Sequence, residues 1–364
     1  MSVMIDWITA VIPMKHKIIN SGHFIELTPD GECLREFAKR KLVKGSYSSV
    51  LALKTNNVRT TKVDGLYFHD YGQQLYIDGN PAKFLQGHNC FGSNDVCFLL
   101  SEMVKAAFAS LELELTDTAL ASILRGNFEV KRIDITAMYE LPSASDVDAW
   151  IYALSNSAKS RHGLPELTDR TLYFGKRSRR YATKIYSKFR ELQSGRKEHA
   201  LPNHLLNTPL LGWTANKVRI EHVLRAPELK KQAQNLFNRD SLFGKDLKPD
   251  LINSLFTEYL GRIEMSGQMT ATDKQIMQLP NKLRGTYTLW RQGLDIRSML
   301  TNGTYYRHRR ELKETLNIDI ALPPKQAQSN VIPLLRPLEA KPASVPADLK
   351  QYQLNNEVKQ YATG

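Results

Sequence analysis

Apolar and polar positions alternate in short runs through the first two thirds of the chain. Asp6 to Ile12, Gly65 to His69 and Gln74 to Asp78 follow the period of two that a half-buried strand requires. One longer segment, Asp95 to Leu111, repeats its apolar residues at helical spacing instead. Strand patterns return at Phe128 to Tyr139, Thr171 to Gly175 and Lys217 to Leu224, and a helix is predicted between them from Ala144 to Ser157. Together these predict an α+β fold, with a mainly antiparallel sheet and packed helices over residues 1–226. Strand patterns then fade. Charged amphipathic segments predict a helical, helix-turn-helix-like domain over residues 227–321. Residues 322–364 carry clustered prolines (Pro323, Pro324, Pro333, Pro337, Pro342, Pro346) and little periodicity, which predicts an extended arm and a loose tail.

With 364 residues, 42% of them hydrophobic, the chain can bury a full core. Against 37 acids stand 50 lysines and arginines, a net charge of +13 that favours an anionic polymer, nucleic acid first, over a small neutral ligand. Cys33, Cys90 and Cys97 are odd in number and form no CxxC, which argues against a disulfide framework or a zinc site and fits a reducing cytoplasm. The start, MSVMIDWITAVIPMKHK, is broken by Asp6 and Pro13 and reads as a buried first strand, not a signal peptide. No apolar stretch is long enough to span a bilayer, so no membrane partner is expected.

The segment TLYFGKRSRRYATKIYSKFREL, Thr171 to Leu192, sets seven basic side chains around three tyrosines. A free tyrosine is a poor nucleophile, since a pKa of about 10 leaves little phenolate at neutral pH. On a strand, Lys184, Tyr186 and Lys188 would share a face, and two ammonium groups would favour the phenolate and an attacked phosphodiester. A solvated basic strand explains the same pattern. Tyr181 and Tyr186 lie five apart, on opposite faces of a strand and about 140° apart on a helix, so only one tyrosine can serve one phosphate. Arg177, Arg179 and Arg180 are candidate DNA contacts beside it.

KRIDIT and VRIEHVL each set a carboxylate, Asp134 and Glu221, within a predicted strand, where an unpaired charge is costly. Salt bridges to Arg132 and Arg219, two positions away, are one resolution. A shared Mg²⁺ or Mn²⁺ is the other, with Asp6 a third candidate ligand or else a surface residue. None of the nine histidines forms a His-x-His pair, so any metal site leans on carboxylates. NPAKFLQGHNCFGSND, Asn80 to Asp95, predicts a tight loop at a helix N-terminus, where His88 and Asn89 could meet phosphate or simply hold a turn. Near the end, Thr304 is predicted to cap a helix presenting Arg307, Arg309 and Arg310 among aromatic residues, a second candidate DNA contact.

NPAKFLQGHNCFGS, RIDIT, KIYSKFREL, VRIEHVL and NVIPLLRPLE occur in the order and similar spacing found in the gene II replication proteins of filamentous phages. The resemblance runs from about Met4 to Pro346 and includes the portion such phages also make separately as the gene X protein. It implies a nuclease domain that nicks the viral strand of the double-stranded form at the phage origin, starts rolling-circle replication, and later rejoins the displaced single strand. Tyr186 falls on the family's catalytic tyrosine, although the residues around it are markedly more basic here. The expected mechanism is tyrosine transesterification. Tyr186 would form a 5′-phosphotyrosyl link and free a 3′-hydroxyl for host polymerase, with host helicase as a further partner, in the host bacterial cytoplasm. Lys184 and Lys188 would neutralise charge, while Asp134, Glu221 and Asp6 would hold Mg²⁺ or Mn²⁺. The competing expectations are a non-catalytic DNA-binding regulator and, more weakly, a basic RNA-binding or virion protein.

Overall fold

The computed structural model describes residues 3–19, 24–27, 33–37, 51–63, 66–161, 163–196, 199–265, 279–316, 318–324 and 341–354. Gly65, Cys33's neighbourhood at 28–32 and the NVIPLLRPLE stretch at 330–339 lie outside these residues. The fold is α+β, built on an 11-stranded antiparallel sheet. Its strands are β1 (Val3–His16), β2 (Phe24–Leu27), β3 (Cys33–Phe37), β4 (Leu51–Val63), β5 (Leu66–Gly79) and β6 (Glu129–Glu140) in the first half. β7 (Ala158–Lys159) stands apart in a two-stranded ribbon with β12 (Glu264–Met265). The second half adds β8 (Glu166–Thr168), β9 (Thr171–Phe174), β10 (Tyr181–Ser187), β11 (Lys217–Arg225) and the short β13 (Lys341–Pro342). The spatial order is β3-β2-β4-β5-β1-β6-β11-β10-β9-β8, with β13 on the end of β6. Short helices α1 (Pro81–Gln86), α3 (Asp117–Leu124), α5 (Lys188–Leu192), α6 (Asn203–Leu206) and α7 (Leu210–Trp213) lie in the connections.

Residues directly opposed across antiparallel strands share a face, so the registers sort the central side chains. Ile5 opposes Ile135, Ile8 opposes Ile133, and Ile185 opposes Ile220, which makes one face apolar. Longer helices cover that face: α2 (Val96–Ser110), α4 (Ala144–Ser157), α8 (Ala226–Phe237) and α9 (Pro249–Gly261) contribute Leu100, Phe108, Leu154, Leu229, Phe256 and others to its core. Helices α2 and α4 begin where the periodicity put them, at Asp95 and Ser143, whose side chains accept backbone N–H bonds as N-caps. Helices α8 and α9, expected to open the helical domain, are instead part of the sheet's own core. Their apolar stripes announce a helix facing something, without naming the partner.

A second core belongs to three helices, Asn281–Arg291, Ile296–Met299 and Asn302–Leu316, which bury Leu283, Tyr287, Trp290, Tyr305 and Leu312. The last helix starts two residues before Thr304, and the N–H of Tyr305 already bonds the carbonyl of Thr301. Thr304 is therefore inside the first turn. Residues 341–354 also depart from expectation. Ala343 and Leu349 are buried in a third cluster with Cys90, Phe91, Met138 and Leu205, so this part of the arm is packed against the sheet domain. Among the described residues no helix is long and apolar enough to cross a membrane.

Candidate active site

The sheet's other face carries the polar residues. Tyr186 opposes Arg219, Lys184 opposes Glu221, Glu221 opposes Thr136 and Val223 opposes Asp134, so one face of β10, β11 and β6 gathers them. The register of β1 against β6 shifts between Ile5 and Trp7, leaving Asp6 as the extra residue of a bulge. Such a bulge re-aims a side chain that strict alternation would send elsewhere. Tyr186 is thus on a strand, the setting in which it was expected to share a face with Lys184, and it does so. Lys188 does not share it. The strand ends at Ser187, whose hydroxyl accepts the N–H of Arg190 and caps α5.

Arg219, fully buried, organises the site. Its Nε donates to Thr136 Oγ1 at 2.9 Å, one terminal nitrogen to Asp6 Oδ1 at 2.7 Å, and the other to the Asn89 carbonyl. Asp6 Oδ1 also accepts from Asn89 Nδ2 at 2.7 Å and Asn80 Nδ2 at 3.0 Å. Burial alone would raise this carboxyl, but Arg219 and Lys188 hold it down at about 2. Asn80 works at both ends. Its Oδ1 caps α1 by accepting from Lys83 N at 2.9 Å, while its amide holds Asp6. The first half of the expected loop is thus a short helix, started by Pro81 at its first position and ended by left-handed Gly87.

Beyond Gly87, His88 and Asn89 are both buried, not presented to solvent as a phosphate loop would be. Asn89 Oδ1 accepts from Lys188 Nζ at 2.7 Å, and Lys188 also pairs with Glu191. Burial opposes a charge on Glu191, yet Lys188 and Lys83 hold it down at about 2. Lys83, desolvated and beside Lys188, falls to about 8.

Tyr186 donates its hydroxyl to Glu221 Oε2 at 3.3 Å, and Lys184 donates to Glu221 Oε1 at 2.5 Å. Glu221 therefore pairs with Lys184 across the strands, not with Arg219 two positions away. Asp134 takes the other predicted option, a two-point pair with Arg132 at 2.8 and 2.5 Å. Burial raises Glu221 above the usual carboxylate range, and Asp6 and Asp134 add to the rise against the pull of Lys184. The same burial raises Tyr186 well above 10, against the pull of Arg219. The lysines thus do not leave a standing phenolate. What the geometry offers is a tyrosine already bonded to a carboxylate that can take its proton.

Asp6, Asp134 and Glu221 fit a divalent cation by donor type, being hard carboxylate oxygens on neighbouring strands. They fit by charge too, since Asp6 and Asp134 both disfavour a negative Glu221. Each nonetheless has a cationic partner, and among the described residues no three His, Cys, Asp or Glu side chains form a ready cage. Of the candidate DNA contacts, Arg177, Arg179, Arg307 and Arg310 are exposed. Arg180 is committed to buried Glu228 at 2.8 Å, and Arg309 pairs with Asp319 at 2.6 and 2.8 Å. Sequence reasoning had Arg219 only as a partner for Glu221, and missed Asn80, Lys83 and Glu191; the caps around these three, Asn-Pro before α1 and Ser187 before α5, were the available signals.

Residues 4–243 match the N-terminal family of the gene II replication-associated protein, and residues 271–354 match the C-terminal family of the same protein. The gene II replication-associated protein of Enterobacteria phage I2-2 is 41% identical over 345 residues, covering 94% of this chain and 96% of that one. A solved structure of a rolling circle replication initiator protein from Geobacillus stearothermophilus overlays loosely, with 14% identity and a TM-score of 0.32 over 81% of this chain and 98% of that chain. The chain belongs to the gene II replication-associated protein family.

Proposed function

We propose that the chain is a rolling-circle replication initiator that nicks the viral strand of its phage origin with Tyr186. The observation that supports this reading best is the Tyr186–Glu221 hydrogen bond, set among Lys184, Arg219 and the carboxylates of two further strands. Tyr186 Oη attacks the phosphorus, its proton passes to Glu221, and the bond from phosphorus to the 3′-oxygen breaks, that oxygen taking up a proton from solvent. The products are a 5′-phosphotyrosyl ester and a 3′-hydroxyl that host polymerase, with host helicase, extends. Later a 3′-hydroxyl on the displaced strand attacks that ester, closes a circle and returns the tyrosine. Lys184 stands beside Glu221 to offset phosphate charge, and Lys188 adds its charge from behind Asn89.

Asp134 and Glu221, with Asp6, are the residues that would hold Mg²⁺ or Mn²⁺; when bound, the ion supplies Lewis-acid stabilisation of the attacked phosphate. Tyr186 is 6% exposed, so attack requires the groups above it to move aside as DNA enters. The competing reading, a DNA-binding regulator without catalysis, draws on the completed ion pairs of all three acids.

One experiment separates the two. Purified protein should relax the phage's supercoiled replicative form only when Mg²⁺ is present, and a denaturing gel should show protein bound covalently to DNA. Tyr186→Phe should abolish both while origin binding persists, and Tyr181→Phe should nick normally. A covalent adduct formed by Tyr186→Phe, or its loss in Tyr181→Phe, would overturn the assignment.

A further inference from the structure

Asn89 touches three members of the site at once: Asp6 and Lys188 through its side chain and Arg219 through its carbonyl. Its position is therefore the site's position, and the loop that carries it is short. Gln86 spans that loop, donating to the carbonyls of His88 at 3.1 Å and Phe91 at 2.7 Å. The remaining anchors come from the other end of the chain. Gln86 Oε1 accepts the N–H of Leu354 at 2.8 Å, and His88 Nε2 meets the Tyr352 carbonyl at 2.9 Å. His88 Nδ1 faces the N–H of Cys90 at 3.3 Å, so the ring's two partners specify the tautomer with hydrogen on Nε2.

The segment that supplies these anchors is itself seated by strand pairing and burial. Lys341 and Pro342 pair with Glu140 and Tyr139 on β6, just beyond the point where β1 leaves at Val3 opposite Ala137. The N–H of Ala343 bonds the Met138 carbonyl at 2.9 Å, and Leu349 is buried against the loop's Cys90 and Phe91. We propose that the C-terminal segment Lys341–Leu354 sets the geometry of the tyrosine site, with Gln86 and His88 as the positioning residues that pass its hold to Asn89. The proposal rests on the reading of Tyr186 as nucleophile. Its physical basis is that a small displacement of Asn89 shifts Asp6, Arg219 and Lys188 together, and misplacement of about 1 Å can cost a hundredfold in rate.

The test uses full-length variants, with nicking of the supercoiled replicative form followed as kcat and KM. His88→Ala removes the donor to Tyr352, and Leu349→Asp unseats the segment by placing a charge in an apolar pocket. Each should lower kcat at least tenfold while KM for DNA stays near that of the unaltered protein. His88→Gln, which keeps a donor at that reach, should recover most of kcat, and Lys350→Ala on the exposed side should change nothing. Unchanged kcat in both disruptive variants, or a change confined to KM, overturns the proposal. Should Leu349→Asp fail to fold, Leu354→Pro carries the test on the same terms, because it removes the N–H that Gln86 accepts. If the unaltered chain forms no phosphotyrosyl adduct, the nucleophile reading is what fails. Hydrogen exchange of residues 86–92 then judges the segment by itself: faster exchange in Leu354→Pro supports its hold on the loop, and unchanged exchange refutes it.

Discussion

A tyrosine hydroxyl buried against a glutamate behaves differently from one flanked by free lysines, and the difference is measurable. If Tyr186 is the nucleophile, then, because burial raises Tyr186 well above 10 and Glu221 above the usual carboxylate range, its proton would move to Glu221 in the attack itself. Only ionised Glu221 can accept it. The nicking rate should accordingly fall as pH drops through the raised Glu221 value, and Glu221→Gln should remove that limb and lower the rate by about 10²- to 10⁴-fold. Asp134→Asn should also suppress cleavage at ordinary Mg²⁺, with partial recovery in excess Mn²⁺. A pH–rate profile that Glu221→Gln leaves unaltered would remove Glu221 as the base. If circular dichroism finds either variant unfolded, the ion pairs to Lys184 and Arg132 are the acids' main role. Single residues were legible up to a limit: the period of two put Lys184 on the same face as Tyr186, but no spacing within β11 could reveal that Glu221 turns to the neighbouring strand and Arg219 to Asp6.

The elements were legible where their own residues close them. Helix α2 appears where its Asp95 cap put it, whereas α1, closed by Asn80, Pro81 and Gly87, lies in a stretch whose turn residues predicted only a tight loop. Helices α8 and α9 could be recognised as amphipathic, whereas their place against the sheet depends on a surface assembled from β1, β6 and β11. That packing buries His222, whose Nδ1 meets Thr183 Oγ1 at 2.9 Å and whose ring lies 4.8 Å from that of Phe256. Burial drops it to about 3, from an ordinary 6.5. The sign follows from linkage: below about pH 6.5 the unfolded chain takes up a proton that the folded chain refuses, so stability is present above that pH and is lost on acidification. The loss is about 1.4 kcal/mol per pH unit for each such histidine. His88, at about 4 through burial, acts in the same direction, and Glu221, with its raised value, acts in the opposite one. Urea midpoints should therefore decline between about pH 6.5 and pH 4, and His222→Leu should make that decline shallower by one histidine's share. An identical slope in the variant would mean that His222 takes up its proton in the folded chain.

At the scale of the whole molecule, the question is where a net charge of +13 goes once the ion-paired members are set aside. Outside the tyrosine site, Arg132, Arg180 and Arg309 each have a carboxylate partner, which leaves them little charge to offer DNA. Arg307 and Arg310 differ: both are exposed on the helix Asn302–Leu316, beside Tyr306, which is 51% exposed. If these two meet phosphate, each contact releases counterions, and replacing both by alanine should reduce the slope of log affinity against log salt by about 2, for origin and unrelated duplex alike. Arg309→Ala should leave that slope nearly unchanged and lower the melting temperature instead, because it removes both charge-assisted bonds that Arg309 makes to Asp319. The helix packs in the separate core of Leu283, Tyr287 and Trp290, so nicking of a short single-stranded substrate should survive the double substitution. The contrast between neighbours three residues apart or fewer makes the test sharp, since a general loss of positive charge would treat all three arginines alike. If Arg309→Ala flattens the salt dependence as much as the double variant, the helix contributes bulk charge and not a docking face. If single-stranded nicking disappears while salt dependence holds, its place is in supporting the nuclease site.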